Sequence, residues 1–447
     1  MPSETMSPIC TSGKAIKTAL RRIDLSSLKM PLVLSLLNQV VSSGGNFFLG
    51  IYLARSMPLE GFGLYGIGYG VCMLYVGIGN AVLLTQMMVN MPDRAAAEKE
   101  QYAARILCAV ILSGLLTLLL TAGVGFIVNI FAPQYTHLSG PVAAIAVASV
   151  VFLCNEFFTS YAYIKRKERL ALMVNLATML TLLLGLIVEH LRGGVVTAEK
   201  VLLLYALGAA VGSCFAFASA PLPLRGHIRK LIPDLTDAWR QGSWALGGVM
   251  VTWIQAQTYT YVLALFLGPA GVGQANTAKI FISPFSFLLP AINKVAVPRL
   301  ADLRHSNRKR MFKMSFILTA AICSLALLYC LTLLIGLDYI SQKLLGRYDP
   351  AIEVLVRIWC LVLVVQMFRS GGGILLQVQR KFRALLLLNI PSAIITIAVA
   401  LGLIQWLGAA GAIWGVVAGE IVLSMFIWKE IRHVKIDEDR SASLDRH

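Results

Sequence analysis

The chain alternates long apolar runs with short polar, charged or turn-forming segments, and twelve of the runs reach the roughly 20 residues that a helix needs to cross a bilayer. In the first half they occupy 31–54, 64–89, 106–131, 140–163, 170–190 and 201–220. The second half gives 242–267, 275–298, 314–337, 351–377, 384–406 and 411–428. No intervening segment exceeds about 21 residues, which leaves no room for a soluble domain. The pattern predicts an all-α integral membrane protein of twelve transmembrane helices. They divide into a six-helix lobe at 31–220 and another at 242–430, joined by a cytoplasmic linker at 221–241 and flanked by segments 1–30 and 431–447.

Composition agrees: 57% of the 447 residues are hydrophobic, 14% are charged, and the mean hydropathy is +0.75. Soluble proteins carry about 25% charged residues, so a soluble globular enzyme is excluded. The net charge of +17 would point to a nucleic acid in a soluble chain. Loop by loop, however, 30 of the 39 Lys and Arg residues fall in alternate segments, beginning with the N-terminal one. Five fall in the other loops, namely Arg55, Arg192, Lys200, Lys343 and Arg347. Basic residues stay on the cytoplasmic side, so both termini are expected there, and no nucleic-acid partner is needed. The four that remain inside runs are Lys279, Lys294, Arg357 and Arg369.

The first apolar run begins only near Met30 and is too long for a cleavable signal peptide. Before it, Ile16, Leu20 and Ile23 share one helical face and Lys14, Lys17 and Arg21 the other, which predicts an amphipathic helix over 13–29 lying on an anionic leaflet. Seven of the eight cysteines lie within runs, and none suggests a disulfide or a metal site.

The halves resemble each other. Glu60-Gly61-Phe62-Gly63 follows the first run and Ala270-Gly271-Val272-Gly273 the seventh, at an offset of 210. Arg166-Lys167-Glu168-Arg169 with Asn175 follows the fourth, and Arg380-Lys381-Phe382-Arg383 with Asn389 the tenth, at an offset of 214. Two matches at nearly one offset indicate duplication. Because six crossings are an even number, the repeats share one orientation and surround a pseudo-two-fold axis along the membrane normal.

HExxH, GxxxxGK[ST], GxSxG and CxxC motifs are absent, and the histidines sit in loops or at ends, so the sequence offers no catalytic centre and calls for no cofactor. What remains is a set of costly polar groups inside the runs. Glu420, near mid-bilayer, is either the ion-pair partner of Arg369 or a proton-titrating coupling group. Glu156 is read as lining a cavity or pairing with a cation, and is a second coupling candidate. Gly371-Gly372-Gly373 after Arg369 fits either close packing or a bend beside a cationic site. Lys279 and Arg357 are placed equally well by snorkelling or by cavity lining, and Lys294 by snorkelling. The first run has Gln39, Ser42 and Asn46 on one face; the seventh has Trp253, Gln257 and Tyr261. Such stripes glue helices together or line a cavity, where rings with a polar edge suit sugars. The pairs Gly66/Gly70, Gly208/Gly212 and Gly415/Gly419 are read as packing.

The stretch from Leu36-Leu37-Asn38-Gln39 through Gly50-Ile51-Tyr52-Leu53-Ala54-Arg55 to Gly61-Phe62-Gly63-Leu64-Tyr65 resembles the opening of bacterial polysaccharide flippases (O-antigen, Wzx-type) of the multidrug/oligosaccharidyl-lipid/polysaccharide exporter superfamily. Gly271-Val272-Gly273 with Ala278-Lys279, and Arg380-Lys381-Phe382-Arg383, are similar to the same pattern. The resemblance implies a two-lobed bundle in the bacterial cytoplasmic membrane that moves an undecaprenyl-pyrophosphate-linked oligosaccharide outward by alternating access. It implies a cationic cavity, here Lys279, Arg357 and Arg369, facing the pyrophosphate, with membrane lipids and glycan-assembly proteins such as a polymerase as partners. Drug-extruding relatives commonly carry an acidic residue in the first run, and 31–54 has none. Lipid II flippases have fourteen spans and arginines in the first. A cation-coupled multidrug antiporter and a membrane enzyme of glycan assembly stay open as alternatives.

Overall fold

A computed structural model of the chain describes residues 25–91, 94–223, 230–287, 307–346, 349–379 and 381–444, with scattered positions between 288 and 306. Lys294, Arg347, Arg380 and most of the expected amphipathic helix at 13–29 lie outside the described residues. Those described form helices and no strands. Twelve long helices follow in order. The first six are α1 (Leu25–Ser56), α2 (Leu59–Asn90), α3 (Ala96–Phe131), α4 (Ser139–Ile164), α5 (Glu168–Leu191) and α6 (Ala198–Ser219). The second six are α7 (231–267), α8 (269–286), α9 (Arg308–Ile335), α10 (Pro350–Val378), α11 (Phe382–Leu407) and α12 (Ala409–Leu444).

Helix ends follow local chemistry. Asn307 caps α9 by accepting from the Arg310 amide at 2.9 Å, and Asp349 caps α10 by accepting from Ala351, with Pro350 in the first turn. Gly268, at φ 69°, breaks α7 from α8 just before Pro269, a conformation that glycine adopts without strain. Two boundaries differ from the pattern reading. The segment 231–241, expected as linker, is already the first turns of α7, and the Gly-x-Gly segments expected after the first and seventh runs are helical, inside the opening turns of α2 and α8.

Nine helices among the described residues are long and apolar enough to cross a membrane. α1, α7 and α8 are not among them.

The two halves repeat one packing scheme. Gly208 and Gly212 on α6 sit against the Thr178 and Val174 carbonyls of α5; Gly415 and Gly419 on α12 sit against Thr396, Ala400 and Ser392 of α11. Small residues let the backbones approach, as expected for those pairs. Cores then divide the molecule lengthwise. At the end remote from the arginine-rich loops, one core joins both halves through Leu53, Leu263, Ala275 and Trp359. At the basic end the cores are separate, one around Phe157 and Tyr102 in the first half that also takes in Leu231 of α7, and one around Leu375 and Leu423 in the second.

The remote junction is a helix crossing of repeat-equivalent residues. A Cβ on Gly63 would strike the Pro269 carbonyl, and a Cβ on Gly273 the Leu59 carbonyl. At the basic end α7 crosses to the first half. Asp234, 8% exposed, accepts from Arg105 at 2.5 Å and Arg94 at 3.0 Å, and Gly242 passes against Ala81 and Val82 in a π-helical turn of α2.

Candidate functional site

Two cavities meet at Lys279 and Ser283 of α8. The first, about 310 Å³, lies between the halves; Asn46, Phe62, Tyr65 and Tyr69 of α1 and α2 face Gln257, Tyr259, Asn276 and Lys279 of α7 and α8. The second, about 350 Å³, lies inside the second half, where Gln255, Lys279, Trp359, Arg369, Asn389 and Glu420 converge from five helices. Lys279 lines both.

Lys279 is held by neutral groups. Its Nζ donates to Tyr259 Oη at 3.0 Å, whose hydroxyl donates onward to Asn276 Oδ1 at 3.1 Å. The ammonium lies 4.9 Å from the Tyr259 ring centre and 5.2 Å from that of Trp359. Trp359 is itself pinned, its Nε1 donating to the Ala275 carbonyl at 3.2 Å. Among the described residues no carboxylate pairs with Lys279, and no other charged side chain lines the cavity between the halves. Lys279 itself is half-buried.

Arg369 differs. Its Nε lies 2.6 Å from Glu420 Oε2, and Gln366 donates to the other carboxylate oxygen at 3.0 Å. The ion pair weighed from the sequence therefore exists, and the two charges cancel within the second cavity, which leaves Lys279 as its uncompensated charge. The glycines after Arg369 do not bend α10. Gly371 packs on Thr319 of α9 and Gly372 on Ile427 of α12, whereas a Cβ at Gly373 would meet nothing within 4 Å, so close packing is the role of the first two.

Other expected site residues lie elsewhere. Arg357 lines neither cavity: its guanidinium is exposed and pairs with Glu353 one turn earlier on the same helix. Near the remote end, α10 turns that face away from its neighbours, a choice that helical position along the chain does not disclose. Of the α1 stripe, Asn46 reaches the cavity and accepts from Tyr205 at 3.0 Å. Gln39 instead donates to Ser43 on its own helix at 2.8 Å, and Ser42 lines neither cavity. On α7, Gln257 reaches the cavity, while Trp253 donates to Tyr261 at 3.5 Å and both stay outside the cavity walls. Glu156 is half-buried on α4 and has no hydrogen-bonding or ionic partner among the described residues. One turn from Phe152 and two from Tyr163, it shares the face that those rings present to the interior of the first half.

Several residues that tie helices together or line the walls are not among the expected site residues. Asn38 donates to Tyr163 Oη and accepts from Asn175, both at 2.8 Å, tying α1 to α4 and α5. Gln255 donates to Ser392, tying α7 to α11 in the equivalent place. On α2, Phe62, Tyr65 and Tyr69 form a ladder of nearly parallel rings continued by Tyr205, with centres 5.8–6.4 Å apart. Their spacing of three and four residues was a visible signal, masked by the glycines between them.

No family model and no curated protein matches the chain. Solved structures do. An inward-facing multidrug resistance MATE transporter of the MOP superfamily superposes with a TM-score of 0.66 at 14% identity, over 90% of this chain and 96% of that one. The lipid II flippase MurJ, in an inward closed conformation, gives 0.71 at 10% identity over 90% and 87%. A MOP superfamily transporter from Pyrococcus furiosus, noted for reverse polarity of its binding pocket, gives 0.56 at 13% over 90% and 94%. The chain is a multi-pass membrane protein with the helical-bundle fold of these transporters.

Proposed function

We propose that the protein is a transporter, not an enzyme, that carries an undecaprenyl-pyrophosphate-linked oligosaccharide across the bacterial cytoplasmic membrane by alternating access. The observation that carries this reading is Lys279: an ammonium shared by two cavities, cushioned by rings and a hydroxyl, and lacking a carboxylate. It is the group to which a lipid-linked phosphate is drawn. The likeness to MurJ supports a lipid-linked substrate, and the separate cores at the basic end support access from the cytoplasm. The lipid tail stays in the bilayer, and assembly enzymes such as a polymerase act on the released product.

Lys279→Gln is expected to lower surface-glycan export at least tenfold while lipid-linked units accumulate in the inner leaflet. Measured leaflet distribution checks this, and normal export by a stably inserted variant overturns it. An enzyme would instead change linkage or chain length on loss.

The likeness to MATE transporters favours a second reading, cation-coupled drug efflux. Glu156, half-buried and without a partner among the described residues, is the coupling candidate under either reading; Glu420 is already occupied by Arg369 and Gln366. Dye efflux driven by an imposed proton or sodium gradient is the discriminating measurement. Efflux abolished by Glu156→Gln and untouched by Lys279→Gln selects the drug antiporter.

A further inference from the structure

We infer that the aromatic ladder on α2 is a carbohydrate-binding wall, taking a pyranose ring at Tyr69, where the ladder opens to the cavity, while Lys279 holds the phosphate to which that sugar is attached. The inference rests on the proposed lipid-linked substrate and assigns its sugar and phosphate to opposite halves of the molecule.

α2 presents two stripes to the cavity between the halves. Gly66 and Gly70 form one, continued outside the cavity by Gly63 against the Pro269 carbonyl, and the side chain of Asn276 lies over Gly66. Phe62, Tyr65 and Tyr69 form the other, one residue before each glycine. Phe62 and Tyr65 lie 6.4 Å apart at 15°, Tyr65 and Tyr69 5.8 Å apart at 22°, and Tyr69 and Tyr205 6.1 Å apart at 18°. Phe62 and Tyr65 are buried and Tyr69 is half-buried, so the ladder opens toward the cavity at Tyr69. Along the helix the three rings of α2 span roughly 10 Å.

Phe62 and Tyr65 belong to the core that joins the halves, and at Tyr69 the ladder meets a cavity lined by amides and hydroxyls. Asn46 stands beside the ladder, with Gln257 and Thr260 across the cavity, and Asn276 joins it to Lys279 through Tyr259. A pyranose has the matching surface: an apolar face of C–H groups for the rings and a rim of hydroxyls for the amides. A flat organic cation would match the rings but would meet the uncompensated charge of Lys279. The phosphate and sugar subsites adjoin because Asn276 belongs to both.

The test measures binding of two radiolabelled lipids to the full-length protein in nanodiscs: undecaprenyl pyrophosphate, and the same lipid bearing one N-acetylglucosamine. Wild type is expected to prefer the glycosylated lipid about tenfold. Tyr69→Leu should bring that ratio to about twofold or less; Tyr69→Phe should keep it. Should Tyr69→Leu fail to insert, Tyr69→Met fills the same space without a flat ring. Lys279→Gln should weaken both lipids alike and preserve the ratio. A wild-type ratio of one, or a Tyr69→Leu ratio equal to that of wild type, overturns the inference and makes the ladder core packing alone. Equal affinities of Lys279→Gln and wild type for both lipids sink the phosphate reading separately, and absence of binding by wild type overturns both.

Discussion

Lys279 and Arg369 are both cations within apolar runs, yet their surroundings assign them different work. Arg369 is compensated by Glu420, whose side chain is 8% exposed, whereas Lys279 is stabilised by polarizable rings and a hydroxyl. Removing one member of a buried pair strands the other charge, at a cost of about 3–5 kcal/mol. Glu420→Ala is therefore expected to lower the thermal unfolding midpoint in detergent, and the double replacement Arg369→Met with Glu420→Met to recover most of the loss. A double variant no better than the single one would give the carboxylate a role beyond pairing. Asp234 allows a comparison within one molecule. Asp234→Ala leaves Arg105, 4% exposed, without its counter-ion and should destabilise the protein markedly. Lys165→Ala loses only the more exposed pair with Glu100, worth about 0–1 kcal/mol. Which cations sit in runs was legible in the sequence. Which of them are paired was not, because Glu420 stands 51 residues from Arg369 and Asp234 129 from Arg105.

At the scale of helices, the glycines govern approach distance. Gly63 and Gly273 touch the opposite backbone, so a methyl at either forces α2 and α8 apart. Gly63→Ala and Gly273→Ala are expected to shift the population toward a conformation in which the halves separate at the remote end. Spin labels at Val195 in the first half and at Tyr339 in the short helix Leu337–Leu345 of the second, both exposed positions, should report a longer distance in either variant. An unchanged distance distribution would place the moving contact elsewhere. The repeat made these glycines visible as equivalents, but their apposition depends on the crossing of two helices whose sequence separation is 210 residues. The stripes of α1 and α7 show the converse. Helical periodicity grouped Gln39 with Asn46 and Trp253 with Gln257, and it was right about the face only to within a turn. α1 is tied to α4 and α5 by Asn38 and α7 to α11 by Gln255, and these attachments rotate part of each stripe away from the cavity.

For the whole molecule, the charge asymmetry of the loops is the strongest statement about orientation. A cysteine introduced at Lys99 should react with a membrane-impermeant maleimide only after permeabilisation, and one at Tyr339 should react in intact cells; the reverse pattern would invert the protein. The all-α class, twelve helices and internal duplication were determined by sequence alone. They follow from the length of apolar run that a bilayer demands and from the offset between matched segments, both of which are properties of a one-dimensional string. Tertiary structure decided the rest: that Lys279 has no counter-ion among the described residues while Arg369 has one, that Arg357 faces outward, that a ladder of rings forms one wall, and that α7 is clasped to the opposite half. Each of these depends on which helix faces meet, and a face becomes a cavity wall only when another helix stands across from it.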